Sequence, residues 1–334
     1  MNTQLPHLKR NFVLNILDGV FFFTGMIFLS LENVVPVYLS KLGASSMIIS
    51  FIPVLKNFGL FLPSIFVAGY ISRLRLQKRY IIKVGLLQRL PFLGAALVSL
   101  FLAESAPLYT AGALLLAVFV TSLGGGMNIP SFFYFTAKTI PLHVRGRLFA
   151  IRNIGSYTLG LAAGLLMTYI MNRLSFPTNY TTLLFIGFAL TMLCLPAVGS
   201  VKEPVQQTPP VKLRFSDYFS DVLMRLKQNS NLRWYILGRV FLILAFTSYS
   251  YFAVNIVKRY NVPDSSVGIF SIIIAATFIL VNPILGYLAD KAGHLINHII
   301  AMAALLSGNL LAVFSPGYFW TLPTLFFGAT AHSI

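Results

Sequence analysis

Apolar runs of about 20 residues recur along almost the whole of this 334-residue chain. A helix that crosses a bilayer needs roughly 20 apolar residues, whereas a barrel strand needs about 10 with strict alternation. The run FIGFALTMLCLPAVGSV shows no such alternation. We therefore predict an all-α polytopic membrane protein of about ten helices. The predicted spans cover 12–39, 45–71, 80–103, 107–137, 146–171, 180–200, 232–257, 265–289, 295–314 and 317–334.

The composition agrees with a membrane protein and argues against a nucleic-acid-binding one. Only 10% of the residues are charged, against roughly 25% in soluble domains, and the mean hydropathy is +0.80. The formal net charge of +17 suggests nucleic acid at first sight. Lys and Arg also collect in cytoplasmic loops of membrane proteins, and we expect that explanation to hold, with no nucleic-acid partner.

The distribution of Lys and Arg predicts the orientation. One side of the membrane receives most of the basic residues, including Lys9, Arg10 and the 200–231 segment, while the other receives only Lys41, Arg173, Lys258 and Arg259. The positive-inside rule then places the N-terminus in the cytoplasm. We expect a multi-pass protein of the plasma membrane.

The segment 201–231 is the one long polar stretch, and it divides the chain. It begins with an extended Pro- and Gln-rich linker, and FSDYFSDVLMRLKQN then places apolar residues at helical spacing. We predict an amphipathic helix on anionic lipids at the cytoplasmic face, with a plain hydrated linker as the alternative. The resulting units are 1–200, 201–231 and 232–334.

An internal repeat relates the two halves. NFVLNILDGVF from Asn11 and NLRWYILGRVF from Asn231 share the frame N-x-x-x-x-I-L-x-x-V-F. At a similar offset, GYISRLRLQKR from Gly69 corresponds to GYLADKAGHLI from Gly286. A second half as long as the first would hold six spans. We therefore expect about two further helices beyond Ile334, with a complete ten-helix protein as the alternative.

These motifs resemble the major facilitator superfamily. GYLADKAGH is similar to its pattern G-x-L-A-D-R-x-G-R-K after the second and eighth helices, and IPLHVRGRLFAIRNIG resembles its Pro-x-x-x-Arg-Gly-Arg entry into the fifth helix. The resemblance covers essentially the whole chain. It implies two six-helix bundles, of which the second is incomplete here, and transport by alternating access.

The stretch GYLADKAGH is predicted to act as a gate. Gly286 permits close approach of another helix, and Asp290 can pair with a cation or a helix N-terminus. Lys291 and Gly293 complete the pattern. The first-half copy at Gly69 is degenerate, because Arg73 stands at its Asp position. The alternative is a solvated turn whose Lys and His are there only because basic residues collect on the cytoplasmic side.

Ionisable residues within spans are the candidates for transport, because charge in a bilayer is costly and usually functional. At 1.5 Å per residue, Asp18 and Arg239 lie at similar depth, so we predict that Asp18 pairs with Arg89 or Arg239. Glu32 is predicted to pair with Lys56. The resemblance implies that Asp18, Glu32 and Arg239 line a cavity, as substrate- or proton-coupling candidates. Arg89 is interpreted as structural, and Tyr249 and Tyr251 are expected to reach the cavity.

The sequence therefore favours a secondary transporter of a small organic solute, driven by a proton or solute gradient. A non-transporting receptor and a facilitative uniporter on the same fold are the alternatives. Scattered histidines and few carboxylates argue against an enzyme, and no pattern suggests a cofactor or a metal. The expected partners are the solute and possible coupling protons, and we expect a monomer.

Overall fold

The computed structural model describes residues 7–71, 74–205 and 215–333, and this part of the chain is helical, without a β-strand. The prediction of an all-α protein is thus confirmed. The helices are α1 (Leu8–Phe28), α2 (Val34–Lys41), α3 (Ser46–Ile71), α4 (Gln77–Leu102), α5 (Pro107–Thr139), α6 (Leu142–Arg173), α7 (Thr178–Ser200), α8 (Phe215–Gln228), α9 (Ser230–Ala245), α10 (Tyr249–Tyr260), α11 (Ser266–Ala292), α12 (His294–Phe314), α13 (Tyr318–Thr321) and α14 (Pro323–His332).

Within the described ranges, nine helical segments are long and apolar enough to cross a membrane. They correspond to the first nine predicted spans. The tenth prediction, 317–334, is wrong in form, because the structure has the short helices α13 and α14 there instead of one long helix. Pro323 begins α14, and since proline has no backbone N–H it cannot continue the hydrogen bonding of α13.

Successive spans cross the membrane in opposite directions. We call the side at which α1 begins the near side, and the opposite side the far side. By alternation, α3, α5, α7 and α11 run from the far side to the near side, whereas α4, α6 and α12 run from the near side to the far side. We call residues 7–205 the first half and residues 215–333 the second half.

Two spans are interrupted where the sequence predicts continuous helices. The first is broken between α1 and α2 at Leu29–Asn33, and the seventh is broken between α9 and α10 by a 3-10 turn at Phe246–Ser248. With Asn11 aligned to Asn231, the turn at 246–248 corresponds to 26–28, directly before the first-span break, so the two breaks lie next to each other in the internal repeat. Interrupted helices at matching positions of two halves are typical of binding sites in transporters.

The largest apolar core lies at the far side and joins the two halves. Tyr38 of α2 is fully buried and stacks on Tyr180 of α7, with 4.6 Å between ring centroids. Phe252 and Phe270 of the second half belong to the same cluster. Side chains of both halves therefore pack into one shared apolar core at the far side.

Glycines allow α6 and α11 to touch backbone to backbone. A Cβ built on Gly268 would lie 2.5 Å from the carbonyl oxygen of Gly164 and 2.5 Å from the amide nitrogen of Thr168. No side chain larger than hydrogen fits such a crossing without separating the helices. Small residues at helix crossings are the usual means of close packing in membranes.

The glycines of the gate motif have open space beside them in the described structure. A Cβ on Gly286 would meet no atom within 4 Å in the described structure, and the same is true of Gly69. The prediction that Gly286 makes room for another helix stays a prediction. In α11, helix contact depends on Gly268.

The predicted amphipathic segment forms a helix, α8, which ends at Gln228 just before α9 begins. The extended linker predicted ahead of it lies mostly outside the described residues. Its contact with anionic lipid stays a prediction.

Two substitutions in α11 test the role of the crossing. We expect Gly268→Ala to destabilise the protein by about 1–3 kcal/mol, because the added methyl group overpacks backbone contacts. Gly286→Ala is the matched control, and it should be neutral or stabilising by about 0.5–1 kcal/mol because alanine is the better helix former. Thermal unfolding of the purified protein in detergent measures both, and equal shifts for the two variants would contradict the assignment.

Candidate functional site

A cavity of about 930 Å³ lies between the two halves. This volume falls within the usual range for small-molecule sites, about 300–1,000 Å³. Ile81 and Val198, close to the near ends of their helices, line its lower part, and Glu32 and Asn33 line its upper part. The cavity therefore extends from the first-span break towards the near side. Its polar and aromatic lining includes Asp18, Phe22, Ser30, Glu32, Asn33, Lys56, Gln88, Arg89, Asn128, Phe132, Phe149, Arg152, Asn153, Tyr157, Tyr249, Ser271, Phe278, Asn282 and His332.

Asp18 of α1 pairs with Arg152 of α6. The distance from Arg152 Nη2 to Asp18 Oδ2 is 3.2 Å, and the two residues are only 4% and 7% exposed. The predicted partners, Arg89 and Arg239, are therefore corrected to Arg152. Gly19 makes the pair possible, because a Cβ there would lie 1.9 Å from Arg152 Nε.

Arg89 of α4 lines the same part of the cavity but binds neutral acceptors. Its Nε donates to the carbonyl oxygen of Thr191 at 2.7 Å, its Nη1 to that of Gly85 at 2.8 Å, and its Nη2 to Cys194 Sγ at 2.7 Å. The guanidinium also lies 5.2 Å from the ring centroid of Phe22. These bonds tie α4 to α7, so the guanidinium is held rigidly beside Asp18 without forming an ion pair with it in the described structure.

A second charged pair lies higher in the cavity, at the first-span break. Lys56 Nζ of α3 is 2.8 Å from Glu32 Oε1, which is the pairing that the depths of these residues predict. Ser30 donates to the other carboxylate oxygen at 3.0 Å, and His332 Nδ1 lies 3.9 Å from Glu32 Oε1. The break places Glu32 here, because Asn33 accepts from the amide of Val34 and begins α2.

Tyr249 begins α10 directly after the seventh-span turn and lies in the cavity wall, as expected. Its ring packs edge-on against Phe252 and His332, and its hydroxyl has no hydrogen-bond partner among the described residues. Tyr251 faces elsewhere, since its hydroxyl donates to the carbonyl oxygen of Ser46.

Arg239 does not line the cavity in the described structure, contrary to the prediction. It lies on α9, below the interrupted turn, and is half-buried. The position of Arg239 along the chain predicts its depth in the membrane. Whether its side chain faces the cavity depends on the rotation of α9 about its axis, which the sequence does not give. The seventh span contributes Tyr249 to the lining instead.

The gate-motif residues lie at the near end of α11, away from the cavity. Asp290 is exposed, Lys291 Nζ lies 4.7 Å above the ring of Tyr287, and Gly293 ends the helix with φ +79°. Gly293 adopts this left-handed conformation without steric penalty. Arg73 lies outside the described residues, and the gating role of the motif stays a prediction.

The sequence analysis missed Arg152 and His332. Arg152 lies seven residues inside the predicted span 146–171, so the criterion that selected Arg89 also applied to it. His332 lies within the predicted span 317–334, so the same criterion applied to it. Asn282 of α11, which hydrogen-bonds to Tyr157 of α6, is a third missed lining residue.

Polar contacts join the halves at the far side of the cavity. Lys41 Nζ lies 2.6 Å from Asp264 Oδ1, and Asn179 Nδ2 lies 3.5 Å from Asp264 Oδ2. Deeper in, Asn33 Nδ2 donates to Ser271 Oγ at 2.7 Å. Together with the far-side apolar core, these contacts seal the cavity from that side.

The Glu32–Lys56 pair can be tested by a double-mutant comparison. Lys56→Met should destabilise the protein by about 1–3 kcal/mol, because it leaves a half-buried carboxylate without its cation. The double variant Glu32→Gln with Lys56→Met should be more stable than Lys56→Met alone, because no unpaired charge is left. Thermal unfolding in detergent is the measurement, with Lys83→Met of an exposed lysine as the control. A double variant less stable than Lys56→Met would contradict the pairing.

Comparisons with known proteins agree with this architecture. The model of the family described as Major Facilitator Superfamily matches residues 88–334. No curated protein sequence matches the chain.

Three solved structures share the fold at low sequence identity. A D-xylose-proton symporter is 15% identical with a TM-score of 0.65, and the nucleoside transporter NupG is 13% identical with a TM-score of 0.68; each match covers 98% of this chain and 80% of the other. A bacterial homolog to the human lysosomal transporter Spinster, in an inward-facing and unoccupied conformation, is 14% identical with a TM-score of 0.65, over 99% of this chain and 74% of the other. With a family match over most of its length and this fold, the chain is a membrane transporter that belongs to the Major Facilitator Superfamily.

Proposed function

We propose that the protein is a secondary transporter that moves a small organic solute by alternating access, driven by a proton or solute gradient. The observation that carries this proposal is the cavity, which both halves line and which the far-side contacts close. A site between two rigid bodies changes its exposure when the bodies rock against each other.

The placement of the contacts supports such a motion. The Lys41–Asp264 pair and the Asn33–Ser271 hydrogen bond join the halves above the cavity. Below it, the lining reaches Ile81 and Val198, and the near end of α11 around Asp290 is largely exposed. The structure thus corresponds to a state that opens to the near side, and breaking the far-side contacts would be required for the opposite state.

Asp18 is the residue we propose for coupling. Its carboxylate is buried in the cavity wall and has one ion-pair partner, Arg152, so protonation would release the arginine and change the charge of the site. Glu32 is the second candidate, with Lys56 as its partner. The D-xylose-proton symporter among the similar structures supports a proton as the coupling ion.

We also propose that the near side is the cytoplasm and that the membrane is the plasma membrane. The excess of Lys and Arg in near-side segments, such as Lys78, Lys138 and Arg147, supports this orientation.

Neutralising Asp18 tests the coupling. Asp18→Asn should abolish accumulation driven by a pH gradient while sparing counterflow exchange, because solute binding and rocking do not need the titrating proton. The measurement is uptake by proteoliposomes across radiolabelled sugars, nucleosides, amino acids and organic acids. Glu104→Gln, which neutralises an exposed carboxylate, is the control and should behave as the unmodified protein. Unchanged accumulation in Asp18→Asn would rule out coupling through this residue.

Joining the halves at the far side tests alternating access. Cysteines in place of Lys41 and Asp264, linked by a short bis-maleimide, should hold the far side closed and abolish net uptake, since the site could no longer face that side. The one native cysteine, Cys194, is buried. Each single-cysteine variant, treated with the same reagent, should stay active. Full uptake by the linked protein would contradict the model.

A further inference from the structure

The near-side part of the cavity carries more positive than negative charge. Among the described residues that line the cavity, the carboxylates are Asp18 and Glu32, and the cations are Lys56, Arg89 and Arg152. Lys56 is neutralised by Glu32. Asp18 is the one described lining carboxylate beside Arg89 and Arg152, and it pairs with Arg152. One positive charge in this region therefore has no counter-charge from the described lining.

Arg152 is also left short of hydrogen bonds. Its Nη2 reaches Asp18, but its Nε and Nη1 have no hydrogen-bond partner among the described residues, although the residue is only 4% exposed. Buried guanidinium N–H groups are nearly always satisfied, because an unpaired polar group away from water is costly. Arg89 differs, since each of its nitrogens donates to an acceptor.

The free edge of Arg152 is turned away from α1. The atoms that a Cβ on Gly19 would meet first are Nε, Cζ and Nη2, so this edge faces α1 and Asp18. Nη1 is on the opposite edge of the planar group. Phe132 and Phe149 lie beside the guanidinium, 4.6 and 5.9 Å from its Cζ to their ring centroids, and both line the cavity.

The surroundings of this edge are apolar and aromatic. Phe22 and Phe132 line the cavity next to the two arginines, and Asn153 follows Arg152 in α6. Aromatic walls suit a flat or apolar ligand body, and they exclude water that would otherwise screen the arginine. A carboxylate or phosphate is the group that a guanidinium binds best in such a setting.

We propose that the transported solute is a soluble organic acid, whose carboxylate or phosphate binds Nη1 of Arg152 while its apolar or aromatic body rests between Phe22, Phe132 and Phe149. This inference rests on the proposed function, because it names the solute class of the same cavity. The anion would supply the missing counter-charge. Asp18, which already binds the other edge of the guanidinium, would compete with the anion for it.

Matched probe pairs test the charge requirement directly. The pairs are benzoate and benzamide, gluconate and glucose, and uridine 5′-monophosphate and uridine. Binding to the purified full-length protein is followed by thermal unfolding and by titration, in neutral detergent, so that no lipid headgroup supplies the anion. In at least one pair, the acidic member should bind about tenfold or more tightly than its neutral partner. Equal or weaker binding by the acidic member in every pair would overturn the proposal.

Three variants locate the anion. Arg152→Gln should abolish the preference for the acidic member, Arg152→Lys should retain part of it, and Arg147→Gln, an exposed arginine of the same helix, should leave it unchanged. Because Arg152→Gln leaves Asp18 unpaired and can impair folding, Asp18→Asn provides a test of opposite sign. It removes the competing carboxylate, so affinity for the acidic member should rise several-fold. Unchanged or weaker anion binding in Asp18→Asn would place the anion elsewhere.

The two proposals fail in different ways. Uptake of neutral members by proteoliposomes of phosphatidylcholine, without binding of the acidic members, would overturn the anion assignment and leave transport intact. Preferential binding of an acidic member that the proteoliposomes never take up would support the anion site and contradict transport.

Discussion

Hydrogen bonding of the backbone in lipid is the constraint on which the rest of this structure depends. Hydrocarbon offers no partner to an N–H or a C=O, so a span must be helical unless protein groups replace the missing bonds. At the first-span break they do: the Ser30 hydroxyl accepts from the amide of Glu32, and the Asn33 side chain accepts from that of Val34. These side-chain acceptors stabilise the break, and the break places Glu32 and Asn33 in the cavity lining.

The same low dielectric determines how charges are arranged in the cavity. An isolated buried charge is strongly disfavoured, so each carboxylate in the described lining lies within 4 Å of a cation. The upper pair, Glu32 and Lys56, balances its charges. The lower group has Asp18 between Arg152 and the rigidly bonded Arg89, so it carries an excess of positive charge among the described lining residues.

Packing divides the molecule between a closed side and an open one. The glycine crossing of α6 and α11, the apolar core around Tyr38 and the Lys41–Asp264 pair hold the halves together at the far side. The cavity lining continues towards the near side. Closure at one end and access at the other are the two requirements of an alternating site, and the closing contacts combine an ion pair, a glycine crossing and a shared apolar core.

The sequence by itself determined the helical class, the first nine spans and the family, because these follow from hydropathy and motifs read along the chain. It also predicted the Glu32–Lys56 pair, since their depths match across neighbouring helices. Depth alone failed for Asp18, whose partner is Arg152, and for Arg239, which lies outside the cavity lining. Which side chains meet depends on how each helix is rotated about its axis, and that rotation is determined by contacts between helices, such as Gly19 against Arg152 and Gly164 against Gly268. Only the tertiary structure contains those contacts, so it alone decided the composition of the site.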